Sequence, residues 1–240
     1  MRNGITDGAR IEKPIKIKIC GLKRLEDVGF VNAVKPDYVG FVFAGSKRKI
    51  DFDTAKKLKS ELSKDILAVG VFVNEEIEYI TRLVSEHVID IIQLHGDEDE
   101  EYIEALKKQI ENHGGNTKKS ITIIKAIRVK TPEQVLKTAK INVNYLLLDA
   151  FRKDAYGGCG VVFDHSLIPK LDKPYFLAGG ISSDNVIRIL ADLKGKGKLP
   201  YCIDVSSSVE TDGFKDFAKI KEIVKMVHEF HRKFCDGLVE

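Results

Sequence analysis

Short apolar runs alternate along this chain with longer stretches that have a helical period. Several of the short runs, such as Leu146-Leu147-Leu148, are apolar without interruption, as strands covered on both faces must be. The predicted strands span residues 15–20, 38–43, 67–73, 89–94, 121–127, 145–149, 175–178 and 202–205. The stretches between them place apolar residues on one face of a helix. The predicted helices include residues 25–34, 53–62, 77–85, 99–110, 132–138, 185–193 and 217–230.

This strict alternation of strand and helix decides the fold class. Eight such units and about eight helices in 240 residues predict an α/β protein with a single-domain (β/α)8 TIM barrel. An open doubly wound sheet would usually have fewer strands at this length. We expect the barrel to span residues 15–240 and residues 1–14 to form an N-terminal extension, because the first thirteen are polar and lack the apolar core of a signal peptide. Residues 112–120 and 195–198 are expected to be surface loops.

Composition removes several classes of partner. The formal charge is only +3, and no basic block has the interleaved aromatic residues of a nucleic-acid surface, so we expect no nucleic-acid partner. No apolar run approaches the ~20 residues of a membrane span. The four cysteines (Cys20, Cys159, Cys202 and Cys235) form no C-x-x-C pair. That spacing argues against a disulfide framework and against a zinc or other metal site, and reduced thiols indicate a cytoplasmic protein.

The C-terminal ends of the strands are where a barrel carries its function. The first strand alternates isoleucines with charged residues, ends in Cys20 and is followed at once by Gly21. A cysteine taken alone more often fills space in a core. The other polar residues at or beyond strand ends are Asn74, Gln93, His95, Arg128, Asp149, Asp204 and residues 46–48.

Glycines and serines after the last three predicted strands indicate a phosphate site. Residues 157–160 carry three glycines, Gly179-Gly180 follows the seventh strand, and residues 206–208 are three serines. Glycines let backbone N–H groups close on an anion, and hydroxyl groups add donors. The helix that starts after the eighth strand would point its positive end at the same place.

With these features together, the chain resembles the phosphoribosylanthranilate isomerase family. The resemblance covers roughly residues 15 to 230, in the order and spacing of the family. The matching stretches are residues 18–21, 40–43, 46–48, 69–74, 93–98, 147–149, 157–160, 178–180 and 204–207.

The resemblance implies an enzyme, an aldose–ketose isomerase of tryptophan biosynthesis that performs an Amadori rearrangement. The implied substrate is the phosphorylated small molecule N-(5-phosphoribosyl)anthranilate. In the family the general base is a cysteine at the end of the first strand and the general acid is an aspartate at the end of the sixth, which correspond to Cys20 and Asp149. No metal and no organic cofactor is implied.

The substrate contacts are expected from the remaining strand ends. We expect Arg48 to bind the anthranilate carboxylate, because guanidinium groups bind carboxylates through two parallel hydrogen bonds. His95, Arg128 and Asp204 are further candidates for substrate binding, although each also fits a purely structural role. The candidate phosphate ligands are Gly158, Gly160, Gly179, Gly180, Ser206 and Ser207.

The acid–base pair also carries an electrostatic expectation. A thiol with pKa ~8.5 is only a few per cent ionised at neutral pH, so we expect positive charge near Cys20 to lower its pKa and partial burial to keep Asp149 protonated. Three residues depart from the family pattern: Val161, His165 and Ser208. Ser208 replaces a glycine and puts the backbone of that loop in question.

Other assignments stay open at this point. The same barrel serves the histidine-pathway isomerase, which would want an aspartate where Cys20 stands, and indole-glycerol-phosphate synthase, which would want a lysine near the start of that strand. A non-catalytic phosphate-binding barrel would tolerate loss of Cys20 or Asp149, and both are present. A homodimer is neither required nor excluded.

Overall fold

Eight parallel strands close into a barrel in sequential order, in a computed structural model that describes residues 14–113, 121–150 and 165–234. The strands are β1 Lys16–Cys20, β2 Tyr38–Val42, β3 Leu67–Phe72, β4 Ile91–Leu94, β5 Thr122–Val129, β6 Tyr145–Ala150, β7 Tyr175–Leu177 and β8 Cys202–Val205. Closure is made by β8, which pairs with β1 so that Lys18 lies opposite Asp204. The predicted (β/α)8 barrel is confirmed.

Helices cover the outside of the barrel. Within the described ranges there are seven: α1 Leu25–Val34, α2 Phe52–Glu61, α3 Ile77–Ser85, α4 Glu100–His113, α5 Pro132–Thr138, α6 Val186–Gly195 and α7 Phe217–Phe234. The expected count of about eight is not reached there, because the described part of the β6–β7 connection holds a 3-10 turn, His165–Leu167. The start of α2 is set by Asp51, whose side chain accepts a hydrogen bond from the Thr54 N–H.

The two faces of the strands pack into different cores. The isoleucines of β1, Ile17 and Ile19, point outward and pack with the helices, while the alternate positions point into the barrel. The N-terminal end of the interior is filled by aromatic rings, and there the Tyr38 and Tyr201 hydroxyls share a hydrogen bond of 2.8 Å. Polar inward-facing residues are therefore concentrated at the opposite end, where the strands finish.

Several boundaries differ from those predicted. Because β5 continues to Val129, Arg128 lies within the strand rather than after it. Helix α4 runs to His113, so residues 112 and 113 are helical rather than part of the predicted loop at 112–120, and residues 114–120 lie outside the described residues. Between β8 and α7 lie a 3-10 turn, Ser207–Val209, and a hairpin of β9 Glu210–Thr211 and β10 Phe214–Lys215.

Helix length and composition also bear on membrane insertion. None of the helices found in the described part of the chain has the length and apolar character needed to cross a membrane.

Candidate active site

The thiol of Cys20 lies at the tip of β1, half-buried at the mouth of the barrel. Gly40 lies opposite it on β2, and a Cβ atom at that position would stand 2.6 Å from the Cys20 sulfur. Any larger residue at 40 would therefore displace the thiol. The Cys20 carbonyl accepts a hydrogen bond from the Ser206 hydroxyl (2.9 Å), which ties the end of β1 to the end of β8.

Lys18 points into the barrel one pleat below Cys20 and is completely buried. Its Nζ donates to Asp204 Oδ2 and to Gln93 Oε1, both at 2.9 Å. Burial alone would lower the pKa of this ammonium group, but Asp204 and the Cys20 thiol raise it above its usual range. Lys18 is thus a permanent positive charge beneath the thiol.

The ionisation of Cys20 reflects opposing influences. Burial raises the pKa of the thiol and Asp204 adds to this effect, while the Lys18 and Lys215 ammonium groups oppose it. The net direction is upward, opposite to that expected from the sequence. The expected positive charge is present, but it does not outweigh desolvation.

A chain of hydrogen bonds runs from Lys18 across the mouth to His95. Lys18 can only donate, so the Gln93 atom that faces it must be the amide oxygen. The Gln93 amide nitrogen then faces His95 Nδ1 at 3.1 Å. Because an amide NH₂ group also only donates, Nδ1 must accept, which leaves the proton of the neutral imidazole on Nε2.

This proton points toward Asp149. His95 Nε2 lies 3.5 Å from Asp149 Oδ2, and the Asp149 side chain is 29% exposed. That separation is too long for a strong hydrogen bond, so the contact between the imidazole and the carboxyl group is weak. Arg128 is the neighbour of Asp149 in the β5–β6 register, with an exposed side chain. The barrel order places β6 three strands from β1, so Asp149 lies across the mouth from Cys20 without being diametrically opposite.

Asp204 lies between these two groups at the bottom of the mouth. Oδ2 accepts from Lys18, whereas Oδ1 is buried and has no hydrogen-bond partner. Burial raises the pKa of Asp204 and the Lys18 ammonium opposes that rise. A buried carboxylate oxygen without a donor carries a large desolvation cost, so this atom is suited to receive a hydroxyl or N–H group of a ligand.

Arg48 lies over the end of β1 and is already paired. Its Nε and Nη2 donate to the two carboxylate oxygens of Glu210, both at 2.7 Å. Gly21, with φ of +88°, makes room for it, since a Cβ there would stand 2.4 Å from Arg48 Cδ. Glu210 also accepts from Lys215 (2.7 Å), whose ammonium group is buried and donates to the Ser206 carbonyl.

The loops predicted to bind phosphate are described in part. Gly179 and Gly180 follow β7 with φ of 91° and 69°, and Ser207, which is exposed, opens the 3-10 turn after β8. The φ of Ser208 is negative, so the position does not require the glycine that it replaces. Gly158, Gly160, Val161 and Cys159 lie outside the described residues.

Sequence reasoning gave no role to Lys18, Gly40, Glu210 and Lys215. Lys18 carries a usable signal: it lies two residues before Cys20, and period-two geometry places both side chains on the same face. The other three have no local signal, because Gly40 and Glu210 come next to their partners only through β2 and the hairpin. Among the described residues no cluster of His, Cys, Asp and Glu is arranged to hold a metal ion.

Comparison with known proteins adds an independent line of evidence. The family model described as "N-(5'phosphoribosyl)anthranilate (PRA) isomerase" matches residues 17–226. A curated relative from Endomicrobium trichonymphae, named N-(5'-phosphoribosyl)anthranilate isomerase, is 47% identical over 212 residues, covering 88% of this chain and 98% of the relative.

Solved structures agree with that result. The phosphoribosyl anthranilate isomerase of Thermotoga maritima aligns with a TM-score of 0.72 at 34% identity, covering 89% of this chain and 98% of that one. Monomers generated from that dimeric enzyme align with a TM-score of 0.68 at 30% identity, covering 89% of this chain and 98% of that one. A phosphoribosyl anthranilate isomerase in complex with reduced 1-(o-carboxyphenylamino)-1-deoxyribulose 5-phosphate aligns with a TM-score of 0.66 at 32% identity, covering 88% of this chain and 97% of that one.

Proposed function

The chain belongs to the N-(5'-phosphoribosyl)anthranilate isomerase family, and from that premise we propose how its barrel mouth performs the Amadori rearrangement of N-(5-phosphoribosyl)anthranilate. The product is 1-(2-carboxyphenylamino)-1-deoxyribulose 5-phosphate, an intermediate of tryptophan biosynthesis. The observation that supports the assignment of roles is that Cys20 and Asp149 lie at the C-terminal ends of two strands of one mouth, and that the Lys18–Gln93–His95 chain runs from beneath Cys20 to within 3.5 Å of Asp149.

Asp149 is the general acid. It gives a proton to the ring oxygen of the ribose while the bond between that oxygen and C1 breaks, and the nitrogen lone pair forms an iminium. His95 orients the carboxyl group through its Nε2–H. It does not carry the proton itself, since its Nδ1 is held as an acceptor by Gln93.

Cys20 is the general base. Its thiolate takes the proton from C2, the electron pair of the C–H bond moves to form C1=C2, and the iminium becomes an enolamine. Transfer of the C2 hydroxyl proton, with protonation at C1, then gives the ketone. The unpartnered Asp204 Oδ1 accepts a hydrogen bond from the substrate while Oδ2 stays bonded to Lys18.

A fluorescence assay tests the function directly, because the anthranilate adduct is lost as the reaction proceeds. The purified full chain should consume the adduct without added metal or cofactor. If the chain left the adduct unchanged while isomerising a different phosphorylated aminoaldose, the substrate assignment would be wrong.

We assign the substrate carboxylate to Arg48. Glu210 occupies Nε and one Nη2 hydrogen, so the edge formed by Nη1 and Nη2 keeps its donors for a second carboxylate. Arg48→Ala is expected to raise KM by at least ~10-fold and to change kcat little, because the interaction is made in both ground and transition states. Steady-state kinetics check this result, with Lys47→Ala, an exposed cation of the same loop, as the control. Equal KM values in Arg48→Ala and wild type would remove the assignment.

We assign the phosphate to the backbone N–H groups of Gly158, Gly160, Gly179, Gly180, Ser206 and Ser207. Gly180→Ala should raise KM about tenfold, because a Cβ at positive φ strains the turn that holds the anion. Gly197→Ala is the matched control, since Gly197 also has positive φ but lies in open space before β8. Crystals soaked in phosphate should show an anion beside Gly180 and Ser207. Density confined to other places would contradict the assignment.

The remaining proposals concern the whole molecule. We propose that residues 15–240 form one isomerase domain preceded by a 1–14 extension, and that the protein acts in the cytoplasm.

Arg128, exposed beside Asp149 at the mouth, is proposed to face the substrate. A homodimer is proposed from the dimeric T. maritima relative, and light scattering of the purified chain tests it.

A further inference from the structure

A three-residue ionic cluster joins two loops above the end of β1. It consists of Arg48 from the loop after β2, and Glu210 and Lys215 from the hairpin after β8. Glu210 accepts from both cations, and its side chain is 9% exposed. Although burial would raise the pKa of Glu210, hydrogen bonds from Arg48 and Lys215 lower it to about 2. The carboxylate therefore stays ionised at any working pH.

The geometry of the Arg48–Glu210 pair is specific. Two hydrogen bonds of 2.7 Å from Nε and Nη2 to the two oxygens of one carboxylate fix the plane of the guanidinium as well as its position. A single bond would leave the group free to rotate about it. The edge that stays available for a ligand therefore has one direction, set from behind by Glu210.

The charge of the cluster suits the same ligand. Two cations and one anion leave one positive charge uncompensated among the three groups, which matches one incoming carboxylate. Cys20 is near enough to contribute electrostatically to the raised pKa of Arg48, so the cluster borders the base. It follows that a carboxylate bound to Arg48 would lie close to the reacting carbons.

From these contacts we infer that Glu210 is a specificity-determining positioning residue, which holds Arg48 so that its free edge selects substrates with a carboxylate on the aromatic ring. The inference rests on the proposed role of Arg48. Glu210 does not touch the substrate; it acts through the guanidinium that does. Lys215 supports it from the buried side.

Removal of Glu210 has two opposing electrostatic consequences. It adds net positive charge beside the carboxylate site, which by itself favours an anion. Burial, however, already lowers the pKa of Lys215, and Glu210 is the group that opposes this effect. Without Glu210, Lys215 loses its proton more readily, which opposes the added charge. What is left is the loss of orientation of Arg48, so selectivity should fall.

Two stable inhibitors measure that selectivity without turnover. One is the reduced product analogue that carries the ring carboxylate, and the other is the same molecule made with aniline in place of anthranilate. The ratio of their inhibition constants is the preference for the carboxylate. Glu210→Gln should reduce this ratio by about tenfold, chiefly by weakening the carboxylate-bearing inhibitor. In Arg48→Ala/Glu210→Gln the ratio should equal that of Arg48→Ala alone.

The matched control is Lys23→Met. Lys23 donates to the Lys47 and Gly213 carbonyls and so joins the same two loops without contacting the Arg48 guanidinium. The ratio of inhibition constants in Lys23→Met should stay at the wild-type value. If Lys23→Met lowers the ratio as Glu210→Gln does, or if Glu210→Gln weakens both inhibitors equally, Glu210 only anchors the loops and the inference is wrong.

Two further variants keep the result interpretable. Glu210→Asp retains the charge and moves the carboxylate back by one methylene, so its ratio should lie between wild type and Glu210→Gln, which decides the matter if the glutamine variant does not fold. Arg48→Ala separates the two levels of the proposal. If Arg48→Ala keeps the wild-type ratio of inhibition constants, Arg48 does not bind the carboxylate and that assignment is wrong. If Arg48→Ala loses the preference but Glu210→Gln keeps the wild-type ratio, only the role of Glu210 is wrong.

Discussion

Cys20→Ala is expected to lower kcat by at least ~10²-fold while the barrel stays folded and still binds the substrate. Removal of the sulfur deletes the only proposed acceptor for the C2 proton. The cavity that it leaves is small, because the thiol is half-buried at the mouth and lies against Gly40. Turnover is measured by the fluorescence assay and binding by competition with the reduced product analogue.

Cys202→Ala is the matched control for that experiment. Cys202 is also a free thiol of the barrel interior, but it is fully buried at the opposite end, in the aromatic layer. It should reduce thermal stability and leave kcat unchanged. Near wild-type turnover in Cys20→Ala would remove the thiol from the mechanism.

The pH dependence of the wild type gives a second test of the base. Because the pKa of Cys20 is raised, the reactive thiolate is scarce at neutral pH and its fraction grows as the pH rises toward that pKa. The rate of alkylation of Cys20 by iodoacetamide should therefore rise with pH along the titration curve of the thiol. Alkylation that is already complete and independent of pH below 7 would show that the thiol is ionised in the free enzyme.

Asp149→Asn is expected to lower kcat by at least ~10²-fold with a modest change in KM. An amide has nearly the size of the carboxyl group and keeps an acceptor for the His95 Nε2–H, but it has no proton acidic enough for the ring oxygen. Kinetic assays over the same pH range, with calorimetry to confirm folding, measure both quantities.

The control is Asp97→Asn, a change of the same chemistry at an exposed position beyond β4. It should leave kcat at the wild-type value. If Asp149→Asn opens the ribose ring at the normal rate, another group of the mouth is the acid. His95 is the nearest candidate. As an acid it would carry a proton on Nδ1 as well, so its hydrogen bond with the Gln93 amide nitrogen would have to be replaced.

The order of the elements was determined by the chain itself. Apolar runs and helical stretches repeat locally, so each predicted strand has its counterpart in the barrel, with ends displaced by a few residues. The displacements matter at two places. The extension of β5 to Val129 turns Arg128 from a loop residue into a strand residue with a fixed direction, and a hairpin lies between β8 and the helix α7.

The residues at strand tips were also determined by the sequence, since position along a strand is local information. Cys20, Asp149 and Asp204 stand where the alternation placed them. The pKa values of these groups were not determined by the local sequence, because each depends on burial and on charges that are distant in sequence. Asp204 is 186 residues from Lys18 and bonds to it only because β8 closes against β1.

The alternation in β1 shows most clearly what the sequence alone does not determine. Isoleucines that alternate with lysines resemble a strand with one face in solvent, and nothing local says that the lysine face points into the barrel. Closure of eight strands makes that face the interior, so Lys18 becomes fully buried and must bond to Asp204 and Gln93. The sequence therefore determined the barrel and the identity of its tip residues. Only the tertiary structure, by closing the barrel and bringing the hairpin over β1, decided which charges surround the thiol and which carboxylate holds Arg48.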